Sequence, residues 1–143
     1  MLKRFTFWLW LAIVFQLLNA LGHSLSFLIS PVPANETERQ LIELMNNYRM
    51  DMGAGIHRSM QQLFTALSAC FPLLFLLGGL NNIYCLKKKV DTGLLRGFLA
   101  IQIIVFGICF GVMAVFTFMP PIVLSGLVFF ALAAAFFLTP KEQ

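Results

Sequence analysis

The fold is decided by residues 94–118, which read LLRGFLAIQIIVFGICFGVMAVFTF. Arg96 is the single charged residue in this stretch. A helix needs about 20 predominantly apolar residues to cross the hydrocarbon core of a bilayer, and a backbone in lipid must satisfy its own hydrogen bonds. The stretch therefore predicts a transmembrane α-helix.

Three more stretches pass the same test, at residues 5–29, 59–86 and 122–138. The chain of 143 residues is 59% hydrophobic and 11% charged, a surplus of apolar surface that requires lipid. The alternation of a barrel strand is absent. We therefore predict an all-α membrane protein in which one domain, residues 1–143, forms a four-helix transmembrane bundle.

The distribution of basic residues predicts the orientation of this bundle, because cytoplasmic loops carry an excess of Lys and Arg. One side has Lys3, Arg4, Lys87, Lys88, Lys89, Arg96 and Lys141, and the other has Arg39, Arg49 and Arg58. Both termini are therefore expected in the cytoplasm. Since these residues flank the spans and form no basic patch, the net charge of +4 reports topology. The expected partner is the lipid bilayer, with another membrane protein as a further candidate and no nucleic acid.

The first span also fits a secretory signal peptide, because basic residues precede an apolar run and Ala20-Leu21-Gly22 offers small residues for cleavage. The apolar run, however, continues beyond that site to Ile29. We expect the first helix to be retained.

The connection over residues 31–56 is longer than a reversal of direction needs, and its middle has a helical pattern. Asn35 and Glu38 are spaced as in a capping box. The apolar residues that follow recur at helical spacing: Leu41, Leu44, Met45, Tyr48 and Met52. This pattern predicts an amphipathic helix on the outer membrane face. Gly53-Ala54-Gly55 then forms either a simple turn or the hinge of a lid.

Two polar stripes lie in the first pair of spans. The first contains Gln16, Asn19, His23 and Ser26, and the second contains His57, Gln61, Thr65 and Ser68. The two helices are antiparallel and joined through the outer loop, so residues at equal depth should have position numbers with a roughly constant sum. Asn19 is then level with Thr65, His23 with Gln61, and Gln16 with Ser68. Polar groups at this depth are costly unless they pair or meet water, so we expect the stripes to face each other.

Two interpretations of the stripes remain open. They can be interhelical hydrogen bonds that fix register, at ~0.6–2 kcal/mol each. Alternatively, they line an outward-facing polar pocket between the first two spans. The candidate ligand-binding residues of that pocket are Gln16, Asn19, His23, His57, Arg58, Gln61 and Thr65.

No cofactor and no catalytic residue are predicted. His57 should lie about four residues, or ~6 Å, above His23, which is too far for two axial ligands of one haem, and no spacing specifies a metal. Cys70, Cys85 and Cys109 form no C-x-x-C motif. Nucleotide-binding, hydrolase and zinc-protease motifs are absent, and the spans contain no Asp or Glu. An enzyme is therefore less expected than a non-enzymatic protein.

The third and fourth spans have the features of a scaffold. Gly107 and Gly111 form a G-x-x-x-G motif that allows close helix approach. Gln102 is expected to be a hydrogen-bonded packing residue, and Asn81 and Asn82 are assigned no chemistry.

Two short motifs carry a resemblance to a known group. They are Gly22-His23-Ser24 and Met52-Gly53-Ala54-Gly55-Ile56-His57-Arg58-Ser59. With them the chain resembles small bacterial four-helix membrane proteins and is loosely similar to the DoxX-like group. The resemblance implies a bacterial inner-membrane location and a four-helix bundle, and it implies no activity.

Three hypotheses for function follow. The first is a small non-enzymatic membrane protein whose pocket binds a small ligand or part of a partner. The second is a redox-associated membrane subunit that binds a quinone or metal near His23. The third is a structural or assembly protein.

Overall fold

Four long apolar helices make up most of the chain. The computed structural model describes residues 2–140. The elements are, in order, α1 (Leu2–Ser26), α2 (Glu36–Asn47), β1 (Arg49–Asp51), β2 (His57–Ser59), α3 (Met60–Lys88), α4 (Thr92–Phe116) and α5 (Met119–Leu138). Helices α1, α3, α4 and α5 are each long and apolar enough to cross a membrane. The predicted class is confirmed at this level, and the four helices indicate a multi-pass membrane protein.

The four long helices are arranged as an open ring. Helix α1 packs closely against both α3 and α5, and α5 packs closely against α4. The backbones of α3 and α4 stay further apart, and these two helices meet through side chains. The order around the ring is therefore α3–α1–α5–α4, and the loosest contact is the one between α4 and α3.

The two ends of the bundle differ. We call the end that carries α2 and the two strands the loop end, and the end that carries Lys87, Lys88 and Lys89 the lysine end. At the lysine end the α3–α4 turn is made by Lys89 in the left-handed region and by Asp91, which caps α4 through Leu94 N. Arg96 donates to the carbonyls of Phe136 and Thr139 at the end of α5. Lys141, which we counted on this side, lies outside the described residues.

The dense core lies toward the lysine end. Its largest fully buried apolar side chains are Leu9, Ile13, Leu99, Leu132 and Val128. Pairs at i and i+4, such as Leu9 with Ile13 and Val128 with Leu132, place one stripe of each helix inward. The loop-end half of the bundle is less filled, and this leaves room for a cavity.

The connection between α1 and α3 differs from the prediction. Helix α2 is present, and Asn35 caps it by accepting a hydrogen bond from Glu38 N. It ends at Asn47, so the expectation that helical spacing continues through Tyr48 to Met52 is wrong. The chain instead forms a hairpin in which Arg49 pairs with Ser59 and Asp51 with His57.

The hairpin turn explains why the helix stops. Gly53, Ala54 and Gly55 all have positive φ, a backbone region that glycine enters without steric cost. Met52 N donates to the Ile56 carbonyl, which closes the turn. This segment therefore joins β1 to β2 as a hairpin turn.

Candidate ligand cavity

The structure separates the two predicted polar stripes. Gln16 is fully buried, and Asn19 and His23 line a cavity inside the bundle. Gln61 and Thr65 are exposed on α3, where the Thr65 hydroxyl donates to the carbonyl of Gln61. His57 and Arg58 are exposed in β2.

The predicted level pairs are wrong because α1 and α3 have a different register. The ring of His23 lies against that of Phe71, with centroids 5.8 Å apart. Phe71 is ten residues beyond the expected partner Gln61, which corresponds to ~15 Å along a helix. The hairpin and α2 take up enough chain for α3 to begin well beyond the end of α1. Asn19 accordingly bonds to Phe15 O on its own helix and not to Thr65.

Gln16 belongs to a cluster of three amides in the bundle core. Asn82 Nδ2 donates to Gln16 Oε1 at 3.0 Å and to Gln102 Oε1 at 2.9 Å. Gln102 Nε2 donates to Asn82 Oδ1, and Gln16 Nε2 donates to Gln102 Oε1. The cluster ties α1, α3 and α4 together, which confirms the packing role expected of Gln102 and gives Gln16 the same role.

Asn82 is the member that sequence reasoning missed. A signal was available, because the α3–α4 turn is short and Asn82 and Gln102 lie at similar distances on either side of it. Two strongly polar side chains at similar depth in adjacent antiparallel spans are expected to pair.

The cavity lies between the cluster and the loop end and measures about 540 Å³. All four long helices contribute to its wall. The apolar part of the lining is Phe71, Phe75, Met113, Phe118, Pro120, Pro121 and Leu124, with the backbone of Gly22. The polar part is Asn19, His23, Ser26, Ser68, Thr117 and Ser125. Its size is within the range of small-molecule sites.

Most polar groups of the lining already donate to their own helix. The hydroxyl groups of Ser26, Thr117 and Ser125 donate to backbone carbonyls at 2.6 to 2.7 Å, and the Asn19 amide donates to Phe15 O. A hydroxyl that donates in this way keeps its oxygen lone pairs, and an amide keeps its carbonyl oxygen. The hydroxyl groups of Ser26, Thr117 and Ser125 therefore have only acceptor capacity left, whereas the Asn19 amide keeps one N–H donor as well as its oxygen.

His23 is the exception in this lining. Its Nε2 is buried and has no hydrogen-bond partner, the one such atom among the described side chains that are not exposed. The ring is held between Phe27 and Phe71, at centroid distances of 5.5 and 5.8 Å. A buried polar nitrogen without a partner costs about 1–3 kcal/mol, so a group that bonds to it recovers free energy.

The floor of the cavity is aromatic. Phe75 lines the cavity, and its ring contacts that of Phe106 with centroids 5.1 Å apart. A Cβ on Gly78 would lie 2.9 Å from Phe106 Cζ and 2.5 Å from Gln16 Nε2. The ring pair therefore stacks directly on the amide cluster, which separates the cavity from the lysine end.

Metal-binding groups are sparse in the described part of the chain. Within residues 2–140, no group of three or more His, Cys, Asp or Glu side chains could hold a metal ion. The three cysteines are free, with Cys70 exposed and Cys85 and Cys109 buried. His23 and His57 lie on different elements and do not form a common site.

Comparison with known protein families, with curated proteins and with solved structures finds no match to this chain.

Proposed function

We propose that this protein is a small non-enzymatic membrane protein that binds a neutral, mostly apolar molecule with an O–H or N–H donor in the cavity at His23. The observation that carries the proposal is the buried Nε2 of His23, which has no hydrogen-bond partner and belongs to a residue that lines a cavity of about 540 Å³. Because this nitrogen is itself covered, the His23 ring has to turn for a ligand to reach it. A donor on the ligand would bond to this nitrogen in the tautomer that carries its proton on Nδ1.

The lining supports the chemical class of the ligand. Apart from His23 it contains no titratable side chain, so a permanently charged ligand would be desolvated without a counter-ion. Phe71, Phe75 and Phe118 favour a ring or chain. The hydroxyl groups of Ser26, Thr117 and Ser125 have committed their donors and can only accept, and His23 Nε2 has no partner. A donor-bearing head such as an alcohol or phenol therefore fits better than an ether or ketone.

The membrane setting of the proposal follows from the basic residues. With the lysine end in the cytoplasm, the cavity lies in the outer half of the bilayer and both termini are cytoplasmic. Helix α2 then lies at the outer surface as an amphipathic helix. Its residues Leu41 and Leu44 and the following Tyr48 are exposed, and such side chains are stabilised by the interface. The resemblance to the DoxX-like group supports a bacterial inner membrane.

Ligand binding is tested with a matched pair of probes, 4-nonylphenol and 4-nonylanisole, which differ in the O–H donor. Saturable binding of each is measured on protein in lipid nanodiscs. We expect the phenol to bind about tenfold more tightly, the worth of one buried hydrogen bond of about 1.4 kcal/mol. The variant His23→Phe should bind both probes equally, because it keeps a ring and loses the nitrogen.

Thr65→Val is the matched control, since Thr65 is exposed on α3 and lies outside the cavity lining. It should keep the preference for the phenol. The proposal fails if the wild type binds neither probe saturably, or if His23→Phe keeps the full preference.

The other two hypotheses give different results on the same protein. A quinol head has O–H donors too, and a visible chromophore or stoichiometric metal on purified protein would favour the redox-associated subunit. A structural or assembly protein would bind no probe and would keep its cellular role in His23→Phe.

A further inference from the structure

The contact between α3 and α4 differs from the other three contacts of the ring. Adjacent helices elsewhere in the bundle pack backbone against backbone, whereas α3 and α4 are held by the Phe75–Phe106 rings and the Asn82–Gln102 hydrogen bonds. The Phe75–Phe106 ring contact lies at the floor of the cavity, and the Asn82–Gln102 hydrogen bonds lie between that floor and the lysine end. We call the part of the α3–α4 contact that lies on the loop side of Phe75 and Phe106 the seam.

The cavity extends to this seam. Ser68 is seven residues before Phe75 on α3, and Met113 is seven residues after Phe106 on the antiparallel α4, so these two residues are level. Both line the cavity. No close backbone packing separates the cavity from the bilayer at this level.

The exposed residues of α3 and α4 at this end include the apolar Phe64, Val112 and Phe116, and α3 carries no charged residue before Lys87. The charged groups of the loop end belong to α2 and the hairpin. A molecule that passed through the seam into the hydrocarbon core would therefore meet no charge on α3.

The neighbouring α1–α3 side of the cavity is closed. A second apolar recess of about 480 Å³ lies between α1 and α3 and is lined by residues such as Leu17 and Leu73. The rings of Phe27, His23 and Phe71 are in contact between this recess and the cavity. Ala20, which faces the recess, is buried against the core. This side is therefore a wall.

We infer that the ligand is a lipid-phase amphiphile that reaches His23 through the α3–α4 seam, with its hydroxyl-bearing head in the cavity and its single chain lying in the seam. The inference rests on the proposed function and adds the source of the ligand and its path. The hydrocarbon chain of the ligand, lying in the seam, stays among apolar side chains and lipid. A longer hydrocarbon chain therefore should not weaken binding. A molecule arriving from water would have to pass the polar loop end instead.

The test uses two disulfide-free, chemically cross-linked variants in a background with Cys70→Ala, Cys85→Ala and Cys109→Ala. The first closes the seam by joining Phe64→Cys on α3 to Phe116→Cys on α4 with a bis-maleimide. Neither residue lines the cavity. The second joins Tyr84→Cys to Phe98→Cys, which link the same two helices at the lysine end and leave the seam open.

The association and dissociation rates of 4-nonylphenol are measured in nanodiscs before and after cross-linking. We expect the Phe64–Phe116 cross-link to slow both rates at least tenfold, and the Tyr84–Phe98 cross-link to change them less than twofold. Single-cysteine variants treated with the reagent report the effect of modification alone and should also stay within twofold.

Two results overturn the inference. If neither cross-link slows exchange, the ligand does not pass the seam. If both slow it equally, the effect is a general loss of mobility. Failure of the proposed function is recognised separately, because the background protein without cross-links would then show no saturable binding.

Discussion

Gly78 is the residue that lets the amide cluster and the cavity floor come together. An added Cβ would meet Gln16 Nε2 at 2.5 Å and Phe106 Cζ at 2.9 Å, and real Cβ atoms essentially never approach that closely. Gln16 is fully buried and its amide is hydrogen-bonded to two neighbours, so it has little freedom to move aside. Close packing of this kind makes small-to-large changes destabilising.

Gly78→Ala is therefore expected to destabilise the bundle by about 1–3 kcal/mol. The unfolding free energy is measured by titration with SDS in mixed micelles. Gly97→Ala is the matched control, because a Cβ at that position in α4 meets nothing within 4 Å. In the control the higher helix propensity of Ala should leave stability unchanged or raise it slightly. Equal effects of the two substitutions would contradict the close approach at Gly78.

Helix α2 carries a charge network that makes its stability depend on pH. Arg39 contacts Glu36 and Glu43, each at 2.6 Å. The hydrogen bond from Arg39, and after it the one from Gln40, lowers the pKa of the Glu36 carboxyl below its ordinary value of 4.5. The hydrogen bond to Glu36, and after it the negative charge of Glu43, raises the pKa of the Arg39 guanidinium. A carboxyl with a lowered pKa stabilises the folded helix above its ordinary pKa, and this contribution is lost as pH falls through the lowered value.

We therefore expect α2 to lose protection from amide exchange as pH falls below about 4.5, after normalisation for the intrinsic exchange rate. Arg39→Gln should reduce this pH dependence. It should not abolish it, since Gln40 also donates a hydrogen bond to the Glu36 carboxylate and lowers its pKa. The same pH dependence in Arg39→Gln and wild type would show that the Arg39 network does not stabilise the helix.

At the level of elements, the sequence predicts what depends on local pattern. Long apolar runs identify the four long helices to within a few residues, and Asn35 with Glu38 identifies the start of α2. The hairpin was missed because Tyr48 and Met52 continue a helical spacing. The sequence signal for a tight turn is Gly53 and Gly55, and both have positive φ in the structure.

The register of α1 against α3 could not be read from the stripes, because it depends on how much chain the connection takes up. The prediction used one constant sum of position numbers for antiparallel helices, with both helices reaching the outer loop at the same depth, and this places His23 level with Gln61. The structure places it beside Phe71. The cavity retains Asn19, His23 and Ser26 from the first stripe but only Ser68 from the second. Local periodicity finds the polar face of a helix, and tertiary packing selects its partner.

At the scale of the whole molecule, the bundle divides into two halves with different roles. The lysine-end half is densely packed, and the amide cluster fixes the register of three helices there. The loop-end half contains the cavity. On the proposed function, a densely packed half that supports a looser one would let a ligand enter and leave without loss of the fold.

The location of each half, cytoplasmic or outer, depends on the orientation of the bundle in the membrane. The distribution of basic residues predicts that Lys88 lies on the cytoplasmic side and Glu43 on the outer side. Each is exposed, Lys88 at the end of α3 and Glu43 on α2, so each can be replaced by cysteine without disturbing the core. In the cysteine-free background, a membrane-impermeant maleimide added to sealed cells should label Glu43→Cys, and it should label Lys88→Cys only after the membrane is permeabilised. Labelling of both from the same side would contradict the four-span arrangement. The reverse pattern would keep four spans but place the cavity in the cytoplasmic half, where a ligand would have to come from the inner leaflet.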